Sequence, residues 1–299
     1  MSETVNSTAE ALEKLAGSAA AKPDRVDWLG EIRGLALMLL AVLAFHSFIA
    51  KPFYIPSISM MPNLLVGDRL IVSKYPYGWN WSSVSFHLLP RGTQRVLAST
   101  PEYGDVVIAV PRNRNEDLIK RVVALPGDRI KLVNGQIWLN GKPVTQAVEP
   151  AVQIPEDEDL TCERRHYCYE DFAEYRTRLP DGKMVYELPT YRETMPNGAT
   201  YLIIDRVAQP ADNMAERLIP DGHVFLMGDN RDHSADSRFA LEDNGLGGPV
   251  PLSDIGGRAE FLTFSLNGAE SWNPLSWWGA LREGRGWSTL RPAIAPEGK

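Results

Sequence analysis

The run Arg129-Ile130-Lys131-Leu132-Val133-Asn134-Gly135-Gln136-Ile137-Trp138-Leu139-Asn140-Gly141 pairs two short apolar, β-branched segments around an Asn-Gly dipeptide. Asn134-Gly135 is the sequence signature of a type I′ hairpin, because both central positions need left-handed backbone that Asn and Gly adopt at least cost. Asn140-Gly141 closes the hairpin. Short runs of the same kind recur on both sides: Arg69–Val72, Asp105–Val110, His223–Gly228 and Ala259–Phe264. Asp181-Gly182 and Asn197-Gly198 mark further turns. Gly and Pro together supply 46 residues, 24 plus 22, enough for many turns between short strands. No long amphipathic helix and no internal repeat interrupts this pattern, so the body of the chain reads as mainly β.

The exception lies near the N-terminus. Gly34 to Ala50 is a run of 17 residues without a charge. At helical rise it spans about 26 Å, close to the hydrocarbon thickness of a bilayer. Trp28 on one side and Phe53 and Tyr54 on the other suit the interface, and Arg33 and Lys51 can snorkel from the ends. The polar leader is too long for the basic region of a cleaved signal sequence, and no small-x-small site follows, so a retained transmembrane anchor is expected. Lys14, Lys22, Arg25 and Arg33 precede it, whereas only Lys51 and Arg69 follow closely. That bias places the N-terminus in the cytoplasm and the body outside.

Composition excludes some classes. With 31 basic against 38 acidic residues the net charge is -7, which leaves no basic stripe for nucleic acid. Between Glu149 and Glu187 there are 11 acidic and 5 basic residues, read as a solvated surface. Cys162 and Cys168, spaced C-x5-C within that stretch, are expected to form a disulfide in an exported segment. With only His166 nearby they fall short of a zinc site, so no metal and no cofactor is expected.

Ser59 lies nine residues beyond the apolar run, in Ile55-Pro56-Ser57-Ile58-Ser59-Met60-Met61-Pro62. Nine residues of extended chain reach at most about 30 Å, which keeps this hydroxyl near the membrane face. A serine needs a base to become a nucleophile. A triad of Ser59, His233 and a neighbouring Asp can be drawn, though no GxSxG elbow surrounds the serine. Lys120, within Leu118-Ile119-Lys120-Arg121-Val122-Val123, is the other candidate. An ordinary lysine is neutral in only about 1 in 2,500 molecules at pH 7, and lowering its pKa to 7 takes about 4.6 kcal/mol. Desolvation by Leu118, Ile119, Val122 and Val123 is a route to that shift. Arg121, adjacent in a strand, points to the opposite face.

In these residues the chain resembles the type I bacterial signal peptidases, membrane-bound Ser-Lys proteases. An apolar segment precedes Pro56–Leu64. Gly67-Asp68-Arg69-Leu70-Ile71-Val72-Ser73-Lys74 and Gly104-Asp105-Val106-Val107 follow, then Ile119–Asp128 and Gly228-Asp229-Asn230-Arg231-Asp232-His233-Ser234-Ala235-Asp236-Ser237-Arg238. The resemblance implies a β-sheet or barrel catalytic body at 53–141 and 221–270 with an inserted β-rich region at 142–220. A cytoplasmic tail (1–28), one transmembrane anchor (29–52) and a Trp-rich, membrane-apposed segment (271–299) complete the expected organisation.

It also implies roles. Ser59 is the nucleophile, Lys120 the general base, and Ser57 the helper of the oxyanion site. Ser234, Asp236, Arg238 and Arg121 support them. Ile55, Pro56, Leu64 and Ile119 meet the -1 side chain of the substrate, and Phe53, Leu70 and Ile108 the -3 side chain. The substrates are signal peptides of exported precursors with small residues at -1 and -3. The implied location is the bacterial inner membrane, single-pass, with the catalytic body periplasmic, in contact with lipid and close to the export translocon. Ile58, where the family often has glycine, is expected to crowd the turn between the two serines.

Overall fold

A computed structural model describes residues 27–160, 169–273 and 275–295. The described residues fall into two compact units, one ending at Leu43 and the other beginning at Ala44. The helix α1 spans Trp28–Phe48. It is apolar on every side and its large side chains stand exposed, Leu35, Leu37, Leu39 and Leu40 among them. A helix apolar all round without protein cover matches a bilayer rather than water. Among the described residues it is the one helix long and apolar enough to cross a membrane. The expected anchor ran to 52, but Ala50–Tyr54 is strand, because its backbone pairs with Arg69–Ser73.

The strands of the first half are β1 (Ala50–Tyr54), β2 (Asp68–Ser73), β3 (Val106–Ala109), β4 (Leu118–Ala124), β5 (Arg129–Val133), β6 (Gln136–Leu139), β7 (Lys142–Pro143) and β8 (Thr145–Pro155). The second half adds β9 (Arg176–Arg178), β10 (Met184–Thr194), β11 (Ala199–Ile203), β12 (Met214–Leu218), β13 (His223–Met227), β14 (Val250–Pro251), β15 (Ile255–Ser265) and β16 (Ala293–Ile294). A five-residue helix, α2, lies at Ser276–Ala280.

A seven-stranded antiparallel sheet in the order β1-β2-β15-β3-β4-β13-β14 carries the site. The long β15 pairs with β2 and with β3, and register shifts at Ile255/Gly257, Ala259/Phe261 and Leu262/Phe264 bend it between them. Gly257 makes that bend possible. At φ 151°, a Cβ there would lie 2.4 Å from the Ser73 carbonyl oxygen. A four-stranded sheet, β12-β5-β6-β7, contains the hairpin read from sequence, with Asn134 and Gly135 at φ 49° and 80°. Ile130 pairs with Leu139 and Leu132 with Ile137, so all four point into one core with Phe225 and Met227.

A five-stranded sheet is built on β8 and β10. The expected boundary at 141/142 falls inside the β5–β6–β7 meander, since β7 pairs with β6 and β12 with β5. Cys162, His166 and Cys168 lie outside the described residues, as does the tail at 1–26.

Candidate active site

Ser57 and Ser59 sit in a tight turn between β1 and β2. The turn closes on itself through Met61 N–H to the Ile58 carbonyl at 3.0 Å and Leu64 N–H to the Met60 carbonyl at 2.9 Å. Ile58 does not strain it. Its φ is not left-handed, and its side chain packs with Met61, Leu65, Leu188 and Phe172, so the expected crowding is absent. The Ser57–Ser59 turn is thereby seated on the β8–β10 region.

β4 brings Lys120 to the turn. In the β3–β4 register Val107 pairs with Lys120, and Val122, Val123 and Ala124 beyond it are fully buried. Lys120 Nζ lies 3.0 Å from Ser59 Oγ and donates to the Ile119 carbonyl at 2.9 Å. Ser57 Oγ is 3.3 Å from Ser59 Oγ. Burial pulls the Lys120 ammonium down to about 8, against the opposing pull of the Asp236 and Asp229 charges. At that value about one molecule in ten carries a neutral amine at pH 7, far more than an ordinary lysine provides. His233 lines the same cleft, where its ring meets Phe172 edge-on at 5.6 Å.

The segment from Gly228 to Arg238 packs against this arrangement. Gly228 packs so tightly that a Cβ there would fall 2.2 Å from Ser234 Oγ and 2.5 Å from the Ser59 carbonyl oxygen. Ser234 Oγ is buried without a hydrogen-bond partner. Asp236 and Arg238 are no surface pair. Both side chains are buried, with Arg238 donating to the two Asp236 oxygens at 2.9 and 3.0 Å. Burial pushes the Asp236 carboxyl up, but Arg238 and the Gly228 N–H outweigh it and hold the group below its ordinary range. Arg121, on the face of β4 opposite Lys120, grips Asp229 through two bonds of 2.6 Å and lies over the Tyr201 ring.

The sequence family described as "Signal peptidase, peptidase S26" matches residues 28–264. The chain belongs to that family. The signal peptidase I of Rickettsia typhi is 30% identical over 257 residues, covering 83% of this chain and 82% of the relative. The signal peptidase I of Rickettsia prowazekii matches with the same identity and coverage. A solved signal peptidase I from Enterococcus faecalis overlaps at 17% identity and TM-score 0.26, over 54% of this chain and 97% of that one.

The other residues expected at the site of this S26 family member divide in two. Pro56 lines the cleft beside Ser59, a space of about 550 Å³. Ile55, Leu64, Leu70, Ile108 and Ile119 come together in a single apolar cluster, with Phe53 packed against it. That cluster adjoins Ser59 through the chain and through Ile119, but its members are largely covered by one another.

Sequence reasoning missed the residues that clamp the turn. Asn230 N–H donates to the Ser59 carbonyl at 3.1 Å, and its side-chain amide to the Ile58 carbonyl at 3.2 Å. The Asn63 amide donates to Asp229 and to the Leu202 carbonyl, both at 2.7 Å. From the C-terminal segment Arg285 reaches Asp68 and the Asn63 carbonyl, and Arg282 reaches Asp157 and the Val66 carbonyl. Arg231, fully buried, makes a two-pronged pair with Glu193 of β10. Asn230 and Arg231 stood in the quoted Gly228–Arg238 block, but their partners lie 38 to 172 positions away and have no local signal.

Proposed function

We propose that this chain is a membrane-anchored serine endopeptidase that removes signal peptides from exported precursors, cleaving after small residues at -1 and -3. The approach of Lys120 Nζ to Ser59 Oγ at 3.0 Å within a buried setting carries this reading. In it, the neutral Lys120 amine takes the Ser59 proton as Oγ attacks the scissile carbonyl carbon. The developing oxyanion is met by the Ser59 N–H and the Ser57 hydroxyl. The Lys120 ammonium then returns its proton to the leaving amine of the mature chain. The acyl group stays on Ser59 until water, deprotonated by Lys120, releases the signal peptide. The Ile119 carbonyl steers the amine, Ser234 Oγ makes no hydrogen bond to it, and the pairs Asp236–Arg238 and Arg121–Asp229 keep the Gly228–Arg238 loop in place.

The extended substrate adds a strand along the β4 edge at Asp117–Ile119 and beside the residues preceding Ser57. The -1 side chain seats on the edge of the apolar cluster, against Pro56 and Ile119 with Ile55 and Leu64 beneath, and the -3 side chain against Phe53 with Leu70 and Ile108 beneath. The charge bias around α1 supports a single pass through the bacterial inner membrane with the catalytic body periplasmic, near the export translocon. Trp272, Trp278 and Trp287, all largely exposed, support contact of the C-terminal segment with lipid headgroups.

The test uses a precursor with an Ala-x-Ala site and the full chain in detergent or lipid. Cleavage is expected for the parent and for His233→Ala, and its loss in Ser59→Ala and Lys120→Ala. Survival in Lys120→Ala with loss in His233→Ala would move the base to the histidine. A parent that binds the precursor without cleaving it would make the chain a binding module.

A further inference from the structure

The cleft at Ser59 continues beyond the catalytic pair. On β4, Lys120 and Leu118 share one face while Ile119 points to the other, into the apolar cluster assigned above to the -1 and -3 side chains. On the Lys120 face the wall is mixed: Leu118 and Ala235 give it an apolar part, and Arg114, Glu116, His233 and Asn244 a polar and charged one. The protein holds this wall in place. The Asn113 amide donates to the Leu241 carbonyl at 3.0 Å, and Arg114 Nη2 to the Asn244 carbonyl at 2.7 Å. Arg114 Nε donates to Glu116 at 2.9 Å. Arg114 and Glu116 pair with each other and both line the cleft; the Arg114 side chain is 23% exposed and that of Glu116 63%, so the carboxylate is the more open of the two to an incoming side chain.

We propose that this wall is the subsite for the first residue of the mature chain, the +1 residue, and that Glu116 makes it favour a basic side chain there over an acidic one. The inference rests on the peptidase reading and extends it to the far side of the scissile bond. In an extended peptide, side chains alternate between faces. With -1 and -3 on the Ile119 face, +1 falls on the Lys120 face. The amine that must receive the Lys120 proton belongs to the +1 residue, which brings that residue to this wall. The space of about 550 Å³ exceeds what one small side chain fills.

The experiment compares fluorescent peptides with one Ala-x-Ala site and Lys, Gln or Glu at +1, alongside a set varied the same way at -2. The full chain in detergent micelles should prefer Lys over Glu at +1 by about threefold at low salt, and by less at high salt. Glu116→Gln should flatten that ratio and Glu116→Lys invert it. A ratio unmoved by Glu116→Lys, or moved only in the -2 set, overturns the proposal. Binding of the same peptides to Ser59→Ala protein, read by anisotropy, separates the two readings. If the parent cleaves nothing, the peptidase reading fails, and the Lys-over-Glu ranking in binding alone decides the subsite. Equal affinities then overturn it, and an inversion by the added Glu116→Lys change upholds it.

Discussion

The backbone N–H of Asn230 donates to the carbonyl of Ser59 at 3.1 Å, while the side-chain amide of the same residue donates to the carbonyl of Ile58 at 3.2 Å. Two carbonyls of the Ser57–Ser59 turn are thus fixed by one residue of the opposing loop, which is itself fully buried. Asn230→Asp keeps the backbone contact and the shape but points a carboxylate oxygen at the Ile58 carbonyl. Losing one buried bond costs about 1–3 kcal/mol. If that cost falls on the alignment of Ser59, kcat drops about tenfold or more while KM stays within about twofold. Steady-state kinetics with circular dichroism as a control for folding check this. An equal change in KM would place Asn230 in substrate binding instead.

With Lys120 as the base, as proposed, its depressed pKa sets the pH dependence. A buried amine held at about 8 is protonated, and unable to act as base, over most of the population at pH 6. Turnover is therefore expected to rise with pH through a midpoint near 8 and then level off. The same shift has a sign for stability. Below about 8 both folded and unfolded chains carry the proton, and the folded chain bears the full cost of the buried charge. Between about 8 and 10.5 the folded chain releases its proton first, and stability rises. Lys120→Met removes that cost, about 3 kcal/mol, and strands the Ile119 carbonyl at a cost of about 1 kcal/mol. The inactive variant is expected to be about 2 kcal/mol more stable than the parent at pH 6–7, with the gap closing above pH 9, as read by chemical denaturation.

Gly228 tests how closely the loop must approach the turn. A methyl group there meets the Ser234 side chain and the Ser59 carbonyl at 2.2 to 2.5 Å, and both belong to well-packed surroundings. Gly228→Ala is expected to lower stability by about 1–3 kcal/mol through overpacking and to abolish cleavage. Ser234→Ala in the same background relieves the nearest collision, so it should return part of the stability without returning activity. Thermal melting of the two variants separates these effects.

Much of the fold around this site is legible in local sequence. The Asn134-Gly135 turn, the strand runs around it and the apolar run before Ser59 are local signals, and the structure places each as read. Ser59 and Lys120, 61 residues apart, were joined by the need of a serine for a base and by the family's ordered blocks. What stayed hidden depends on contacts distant along the chain. Nothing near Asn230 announces Ile58, nothing near Arg282 announces Asp157, and Glu193 in β10 gives no hint of Arg231. Ile58 was misjudged for the same reason, because the pocket that receives it comes from β10 and from Phe172. The anchor expected to run to 52 ends earlier, because pairing with β2 takes Ala50–Tyr54 into the sheet.

Asp236 offers a test that separates support of the fold from support of the base. Its carboxylate holds Arg238 through two bonds and accepts the Gly228 N–H at 3.0 Å, all away from solvent. Asp236→Asn removes the close counter-charge of a buried guanidinium and leaves it only Asp212, 3.9 Å away, and breaking a buried pair from one side costs up to about 3–5 kcal/mol. The melting temperature should fall accordingly. A purely structural role predicts only that fall. The Asp236 charge, however, also favours the Lys120 ammonium, whereas Arg238 disfavours it. Removing the negative charge and leaving the positive one lowers the lysine further. The midpoint of the pH–rate profile should therefore move below 8, and the ratio of turnover at pH 6.5 to that at pH 8.5 should rise even though both rates are smaller. A midpoint that stays in place while the melting temperature falls would confine Asp236 to the fold.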